Sequence, residues 1–214
     1  MKLTKHEHSC MVVENEGQAL VIDPGALAEL PMLENVVAVV ITHVHADHLS
    51  VENLVNLAQH NPNMKLFAAP DMLAEVSGLG VEVESVGRGH TETATVGSFK
   101  LEFGGQDHAV IYEKVPCQNA SLLVNDILFY PGDSFTLPPR QVKVLAVPAS
   151  APWMKTSEAM DYIKACKSEI VVPVHDGLLS DFGKKVTHNW LQQACEAVNS
   201  RLTILNSNES VDVV

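Results

Sequence analysis

The chain lacks a long apolar run, a paired-cysteine pattern and any cluster of basic residues. With no stretch of bilayer length, no transmembrane helix is expected. The opening Met1-Lys2-Leu3-Thr4-Lys5-His6-Glu7-His8 also lacks the apolar centre of a secretory leader. The 4 cysteines, at positions 10, 117, 166 and 195, form no C-x-x-C pair and no small-domain disulfide framework. Each is expected as a small apolar packing residue in a reduced, cytoplasmic setting. Lys and Arg number 14 against 26 Asp and Glu, a formal charge of −12. That balance argues against a nucleic-acid surface, which needs clustered cations. No repeat, low-complexity tract or composition break divides the 214 residues. One domain over 1–214 is expected, long enough to bury a sizeable core.

What is present is organised around Val39-Val40-Ile41-Thr42-His43-Val44-His45-Ala46-Asp47-His48. The β-branched run reads as a buried strand, and it ends in three histidines and an aspartate. His43 and His45 are two apart, so in extended backbone they point the same way and can hold one ion. Asp47 and His48 fall where the chain turns toward a helix, facing a second ion from another side. Neutral imidazoles with carboxylates suit zinc first, with iron or manganese as alternatives. A single histidine would read as a packing residue; H-x-H-x-D-H at the mouth of a buried strand reads as a metal site.

Residues 9–14 and 18–23 read as a hairpin, stopped by the turn sequence Asp23-Pro24-Gly25. Strand 33–42 delivers the histidines. Helix 50–59, strand 64–69, helix 70–77 (with Pro70 in its first turn) and strand 81–86 follow. The second half opens with strands 98–103, 109–112, 120–124 and 127–130, with Asn125-Asp126 as a tight turn. Strand 143–147, helix 157–166, strand 170–174, helix 182–198 and strand 202–205 complete the chain. Two β-rich halves, each ending in strand–helix alternation, predict an α/β arrangement of two packed sheets with helices outside.

Three further candidates sit where strands end. His108 follows Gly104-Gly105-Gln106-Asp107, Asp133 follows Tyr130-Pro131-Gly132, and His175 closes Val171-Val172-Pro173-Val174. Each alone is a weak signal. Together they supply a third ligand for each ion and a carboxylate to bridge them.

At this point the sequence resembles the metallo-β-lactamase superfamily, whose T-H-x-H-x-D-H signature matches Thr42 to His48. His108, Asp133 and His175 follow in the superfamily's order, and the resemblance runs from His8-Ser9-Cys10 to His175-Asp176-Gly177. The opening H-S, the hairpin and I-D-P-G are similar to the branch containing ascorbate-6-phosphate lactonase and N-acyl-phosphatidylethanolamine phospholipase D. Ala151-Pro152-Trp153-Met154 before a helix is similar to small hydrolases of that branch. The chain is shorter than the lactonase, and Glu7 stands where relatives usually carry glycine.

The resemblance implies an αββα sandwich of two mixed sheets. It implies two divalent ions: His43, His45 and His108 on one, Asp47, His48 and His175 on the other, Asp133 between them. It further implies metal-bound hydroxide attacking an ester, lactone or phosphodiester, with Asp47 and Asp133 as catalytic carboxylates and Asp133 handling a proton. Two divalent ions, two carboxylates and one hydroxide sum to about +1, which favours a small anionic substrate. A homo-oligomer is compatible with the sequence; membrane insertion and nucleic acid are not expected. The alternatives are a metal-bound regulatory or binding module without turnover, and a nuclease of the same superfamily, which the missing basic cluster disfavours. A true β-lactamase is disfavoured because those enzymes typically carry cysteine where Asp133 stands. An oxygen-reducing di-iron protein is disfavoured because that branch has an acidic residue where His45 stands. Weaker candidates beside the ligands or substrate are His8, Asp23, Trp153 and Lys155. His60, His90 and His188 are expected as ordinary histidines, and Asp176 as a turn former.

Overall fold

A computed structural model describes residues 1–87, 90, 92–105, 107–112 and 117–213. Its strands are β1 (Lys2–Lys5), β2 (Met11–Asn15), β3 (Gln18–Ile22), β4 (Val36–Ile41), β5 (Lys65–Ala68), β6 (Glu82–Ser85) and β7 (Thr93–Val96). The second set is β8 (Phe99–Gly104), β9 (Ser121–Val124), β10 (Leu128–Tyr130), β11 (Val144–Pro148), β12 (Ile170–Val174), β13 (Arg201–Leu202) and β14 (Ser210–Asp212). The α-helices are α1 (Val51–His60), α2 (Thr156–Cys166) and α3 (Asp181–Glu196). They build two seven-stranded sheets, ordered β14-β1-β2-β3-β4-β5-β6 and β13-β12-β11-β10-β9-β8-β7. Both sheets are mixed: β3 to β6 and β10 to β13 pair in parallel, and the remaining pairs are antiparallel.

Side chains alternate across a strand, and that period sorts the apolar residues into three layers. Met11, Val13, Leu20, Ile22, Ala38, Val40 and Phe67 of the first sheet meet Phe99, Leu122, Leu128, Tyr130, Val144 and Val172 of the second. The intervening Val12, Val21, Val39, Ile41 and Leu66 face outward onto Leu54 and Leu57 of α1. On the far side, Leu123, Phe129, Leu145 and Val171 pack on Ile163 of α2 and Leu191 of α3. β4 is therefore buried on both faces, which is why its sequence is almost unbroken Val and Ile. Helix α1 begins where the Ser50 hydroxyl accepts from the Asn53 backbone N–H, an N-cap worth about 1 kcal/mol.

Three expectations need correction. The helix expected over 70–77 is a single 3-10 turn at Pro70–Met72 followed by turns. Only Met72 and Val76 there are buried apolar anchors, too few to hold an isolated short helix before Gly78 and Gly80. The strand expected over 109–112 is irregular, and Val110, Ile111 and Tyr112 stand exposed. Their β propensity finds no face to bury against. Strands β1, β7 and β14 were not legible, because each is a short strand at or near a sheet edge with little apolar alternation.

The topology gathers most of the candidate site residues at one edge of the sheets. β1 is antiparallel to β2, which is antiparallel to β3, so β1, β3 and β4 run the same way. By the same reasoning β8, β10, β11 and β12 share a direction. The loops leaving their C-terminal ends carry His8, Asp23, the 43–48 stretch, His108, Asp133, Trp153 and His175. C-terminal strand ends are where such sheets place ligands.

Candidate metal centre

His43, His45, Asp47 and His48 leave β4 in a tight loop, with the His48 N–H bonded to the His45 carbonyl at 2.9 Å. The Asp23-Pro24-Gly25 turn packs directly on it. A Cβ added at Gly25 would lie 2.0 Å from the Asp47 carbonyl oxygen, so only glycine fits there.

Asp23 organises the first part of this loop. Its Oδ1 accepts from the Thr42 backbone N–H and its Oδ2 from the Thr42 hydroxyl, each at 2.7 Å. With its proton spent on Asp23, the Thr42 oxygen is left to accept from His43 Nδ1 at 3.0 Å. Asp23 Oδ2 also takes His48 Nδ1 at 2.7 Å. His175 Nδ1 donates to the Ser150 carbonyl at 2.7 Å, and His108 Nδ1 to the Ala109 carbonyl. In all four rings the proton is thereby placed on Nδ1, and the Nε2 lone pair points inward.

Those inward atoms converge. One oxygen of Asp133 lies 3.2 Å from His48 Nε2; the other lies 3.2 Å from both His108 Nε2 and His175 Nε2. Asp47 Oδ2 is 3.3 Å from His175 Nε2 and 3.9 Å from His48 Nε2. Ligand atoms of His43, His45 and His108 lie within 4.8 Å of one another; those of Asp47, His48 and His175 do likewise, and Asp133 groups with His43 and His48. The buried Nε2 atoms of His43, His48, His108 and His175, and Oδ1 of Asp133, have no hydrogen-bond partner. Buried polar atoms are almost always satisfied, so five converging orphans fit cations held by nitrogen and oxygen donors.

The electrostatics agree. Burial pulls His43 well below the ordinary histidine range, with His48 adding to the effect, which keeps the ring neutral and free to ligate. Burial also works against charge on His48 and His175, but the Asp23 and Asp133 carboxylates lift His48 to about 10. Asp133 and Asp47 lift His175 to about 9. Asp133 is held well below the usual carboxylate range, because His48, His108 and His175 outweigh its burial. Protons and metal ions therefore compete for the same inward nitrogens.

His8 stands in the same group of converging donors as Asp47, His48 and His175, and both of its ring nitrogens are engaged within the protein. Its Nδ1 accepts the Gly177 backbone N–H at 3.0 Å, so its proton sits on Nε2, which donates to Asp47 Oδ2 at 3.1 Å. It orients a carboxylate.

Residues 2–175 match the beta-lactamase superfamily domain. The chain belongs to this superfamily. Protein Rv0786c of Mycobacterium tuberculosis is 34% identical over 200 residues, covering 90% of this chain and 92% of that protein. A UPF0173 metal-dependent hydrolase of Anoxybacillus flavithermus is 26% identical, covering 82% of this chain and 85% of its own length. The solved structure of Igni18, a metallo hydrolase from Ignicoccus hospitalis, superposes with a TM-score of 0.73 at 22% identity, covering 98% and 97% of the two chains. That likeness is one of fold: the superfamily's two mixed sheets with helices outside.

Of the weaker candidates, Trp153 reaches the site, its indole N–H donating to Asp133 Oδ2 at 2.8 Å. Lys155 does not: it is exposed at the start of α2, where its backbone N–H bonds Glu158. Asp176 is a turn former as expected, its carbonyl accepting the Leu179 N–H at 3.1 Å, and its carboxylate is also buried against Lys5 Nζ at 2.6 Å, with His188 Nε2 at 3.5 Å. Sequence reasoning gave no role to Asn119. Its Oδ1 accepts the Asp133 N–H and its Nδ2 donates to the Pro131 carbonyl, each at 2.9 Å, which fixes the Asp133 loop. Nothing local in the sequence marks that asparagine.

Proposed function

We propose that this chain is a metal-dependent hydrolase with two divalent ions, zinc first among them, acting on an ester, lactone or phosphodiester of a small anionic molecule. His43, His45 and His108 would hold one ion, Asp47, His48 and His175 the other, and Asp133 both. The observation that carries this reading is the set of five buried, partnerless nitrogen and oxygen atoms facing one another. The names of the Anoxybacillus relative and of Igni18 support it.

Bound ions would supply Lewis acidity and a water acidified toward neutrality. The protein's own contribution is orientation and proton handling. Asp23, Thr42 and the Ser150 and Ala109 carbonyls fix the tautomers, so no ring must turn to bind. Trp153 and Asn119 hold Asp133 in place from either side. Asp47 is the more exposed of the two carboxylates, its side chain 30% accessible, and His8 fixes it from behind. In this reading Asp47 would take the proton of the attacking water, and Asp133, which faces both sets of donors, would relay that same proton to the leaving group. A lactonase or phospholipase-like specificity is the finer part of this proposal.

The test is turnover of matched anionic and neutral esters, lactones and phosphodiesters by protein of known metal content. His43→Ala and His45→Ala should abolish turnover, and His60→Ala on the exposed face of α1 should leave it within a few-fold. The anionic member of each pair should show the higher kcat/KM. Protein that binds two ions but turns over none of these substrates would be a binding module instead.

A further inference from the structure

Large apolar residues are left uncovered beside the metal set. The Ala109 N–H donates to the Asp133 carbonyl at 2.9 Å, and the next three residues, Val110, Ile111 and Tyr112, are 49–73% exposed. On the His8 side, the Gly177 N–H donates to His8, and the next residue, Leu178, is exposed. Phe182, Val186 and Trp190 follow at four-residue steps, and the whole row is 41–77% exposed. In a helix, residues four apart stack on one face, so these three form a row along α3 with Leu178 at its head. From Phe182 to Trp190 the row runs about 12 Å. The opposite face of α3 is spent on the core through Leu191, Ala194 and Cys195, so packing within the fold does not account for the row. Contiguous exposed apolar surface of this kind marks a binding surface.

What occupies it follows from where it begins. Both apolar groups start one residue beyond a backbone N–H bonded to the metal wall, so each begins, along the chain, at the site. The ligand set with its ions draws negative charge, whereas the surface leading away from it is apolar. We propose that the substrate is an amphiphile: an ester whose anionic alcohol portion faces the ions and whose unbranched acyl chain lies along Leu178, Phe182, Val186 and Trp190. Val110, Ile111 and Tyr112 flank the other side of the bond to be cleaved. This rests on the hydrolase reading above. In the reaction water adds across the acyl–oxygen bond: the acyl carbon gains the hydroxyl, the alkoxide leaves with a proton, and a carboxylate, an alcohol and one released proton result.

The experiment uses 4-sulfophenyl esters from acetate to dodecanoate, kept below micellar concentrations, with metal-loaded protein. kcat/KM should rise by about twofold per added methylene, a part of the full burial effect. Phe182→Ser and Val186→Ser, both at exposed positions, should each reduce the ratio of dodecanoate to acetate kcat/KM by about tenfold. Binding is read separately from Trp190 fluorescence on titration with dodecylphosphonate and ethylphosphonate, with Trp190→Phe to assign the signal. Dodecylphosphonate should bind at least tenfold more tightly, with a blue shift. Ready turnover with no dependence on chain length, and equal binding of the two phosphonates, would overturn the chain track and leave the hydrolase standing. Chain-dependent phosphonate binding without turnover of any ester would sustain the track and sink the hydrolase reading. A dimer by light scattering that Phe182→Ser dissociates, with a flat ester series, would assign the row to a second copy and overturn the proposal.

Discussion

The two walls of the candidate centre are built differently. The His43, His45 and His108 wall takes two of its rings from one loop after β4, and His43 is set by its chain neighbour Thr42. The Asp47, His48 and His175 wall takes two donors from that same loop, and is tied in addition to the N-terminal segment. The His175 N–H donates to the His8 carbonyl at 2.9 Å, Gly177 donates to His8 Nδ1, Lys5 pairs with Asp176, and Lys184 reaches Glu7 at 3.3 Å. Each wall joins the loop after β4 to one distant strand end, but only the second also needs the loop after β1 to dock against the loop after β12. Loss of N-terminal docking should therefore empty the second wall before the first.

Asp133 is the group common to both walls, so its loss should have the largest effect. In the proposed site its carboxylate would offset repulsion between ions that two-metal sites hold about 3.5–4 Å apart. Asn keeps the size and one acceptor but removes the negative charge. Asp133→Asn should fold, fall from about two ions per chain to about one or below, and lose most turnover. Elemental analysis after dialysis, beside a circular-dichroism melt, checks this. A folded variant with two ions would show that another group spans the walls.

The next effect separates the walls. Lys5 and Asp176 are 3% and 2% accessible at their side chains. Lys5→Met leaves a buried carboxylate without its cation, and His188 at 3.5 Å offsets this only in part. The expected cost is about 3–5 kcal/mol in urea unfolding. Metal titration of the folded fraction should show the weaker of two binding events lost first. A cost under about 1 kcal/mol would mean that the second wall does not depend on its buried pair.

How far the walls were legible in sequence follows the same division. The loop after β4 was plain: a β-branched strand and H-x-H-x-D-H state the scaffold and two donors for each wall. His108, Asp133 and His175 were found because strand ends are visible as apolar runs stopping at a polar residue. The long-range partners were not. The turn at Asp176 was read, but not its carboxylate's partner Lys5, 171 positions away, and Asn119 reaches Asp133 from 14 positions upstream. For the fold, doubly buried strands such as β4 were read correctly, whereas the edge strands β7 and β14 carried too little apolar pattern. At 109–112, three residues with strong β propensity are exposed beside the site. Propensity without a burying surface misled there.

Asp23 acts on both walls, on His48 directly and on His43 through Thr42. Asp23→Asn keeps one acceptor but gives the other position a donor amide, which faces either the Thr42 hydroxyl or His48 Nδ1. Affinity for both ions should fall by about 10–100-fold, the usual cost of losing a group that orients ligand histidines. Competition with a chromophoric chelator measures it. Loss confined to one ion would show that the Thr42 link to His43 carries no orientation.

The smallest effect tests whether the exposed part of the second wall matters. Glu7 holds φ of 62°, the left-handed region, where a residue with a Cβ is strained by roughly 1–2 kcal/mol. Glycine there removes that strain but gives the unfolded chain more freedom, worth about 0.5–1 kcal/mol in the opposite direction. It also deletes the Glu7–Lys184 pair, whose side chains are 31% and 29% accessible, so screening leaves it worth about 0–1 kcal/mol. These contributions nearly cancel. Glu7→Gly should unfold within about 1 kcal/mol of the parent and keep both ions, because the backbone bonds from His175 to His8 and from Gly177 to His8 do not involve the Glu7 side chain. A loss above about 2 kcal/mol, or loss of one ion, would place the fastening of the second wall in the exposed pair rather than in Lys5 and Asp176.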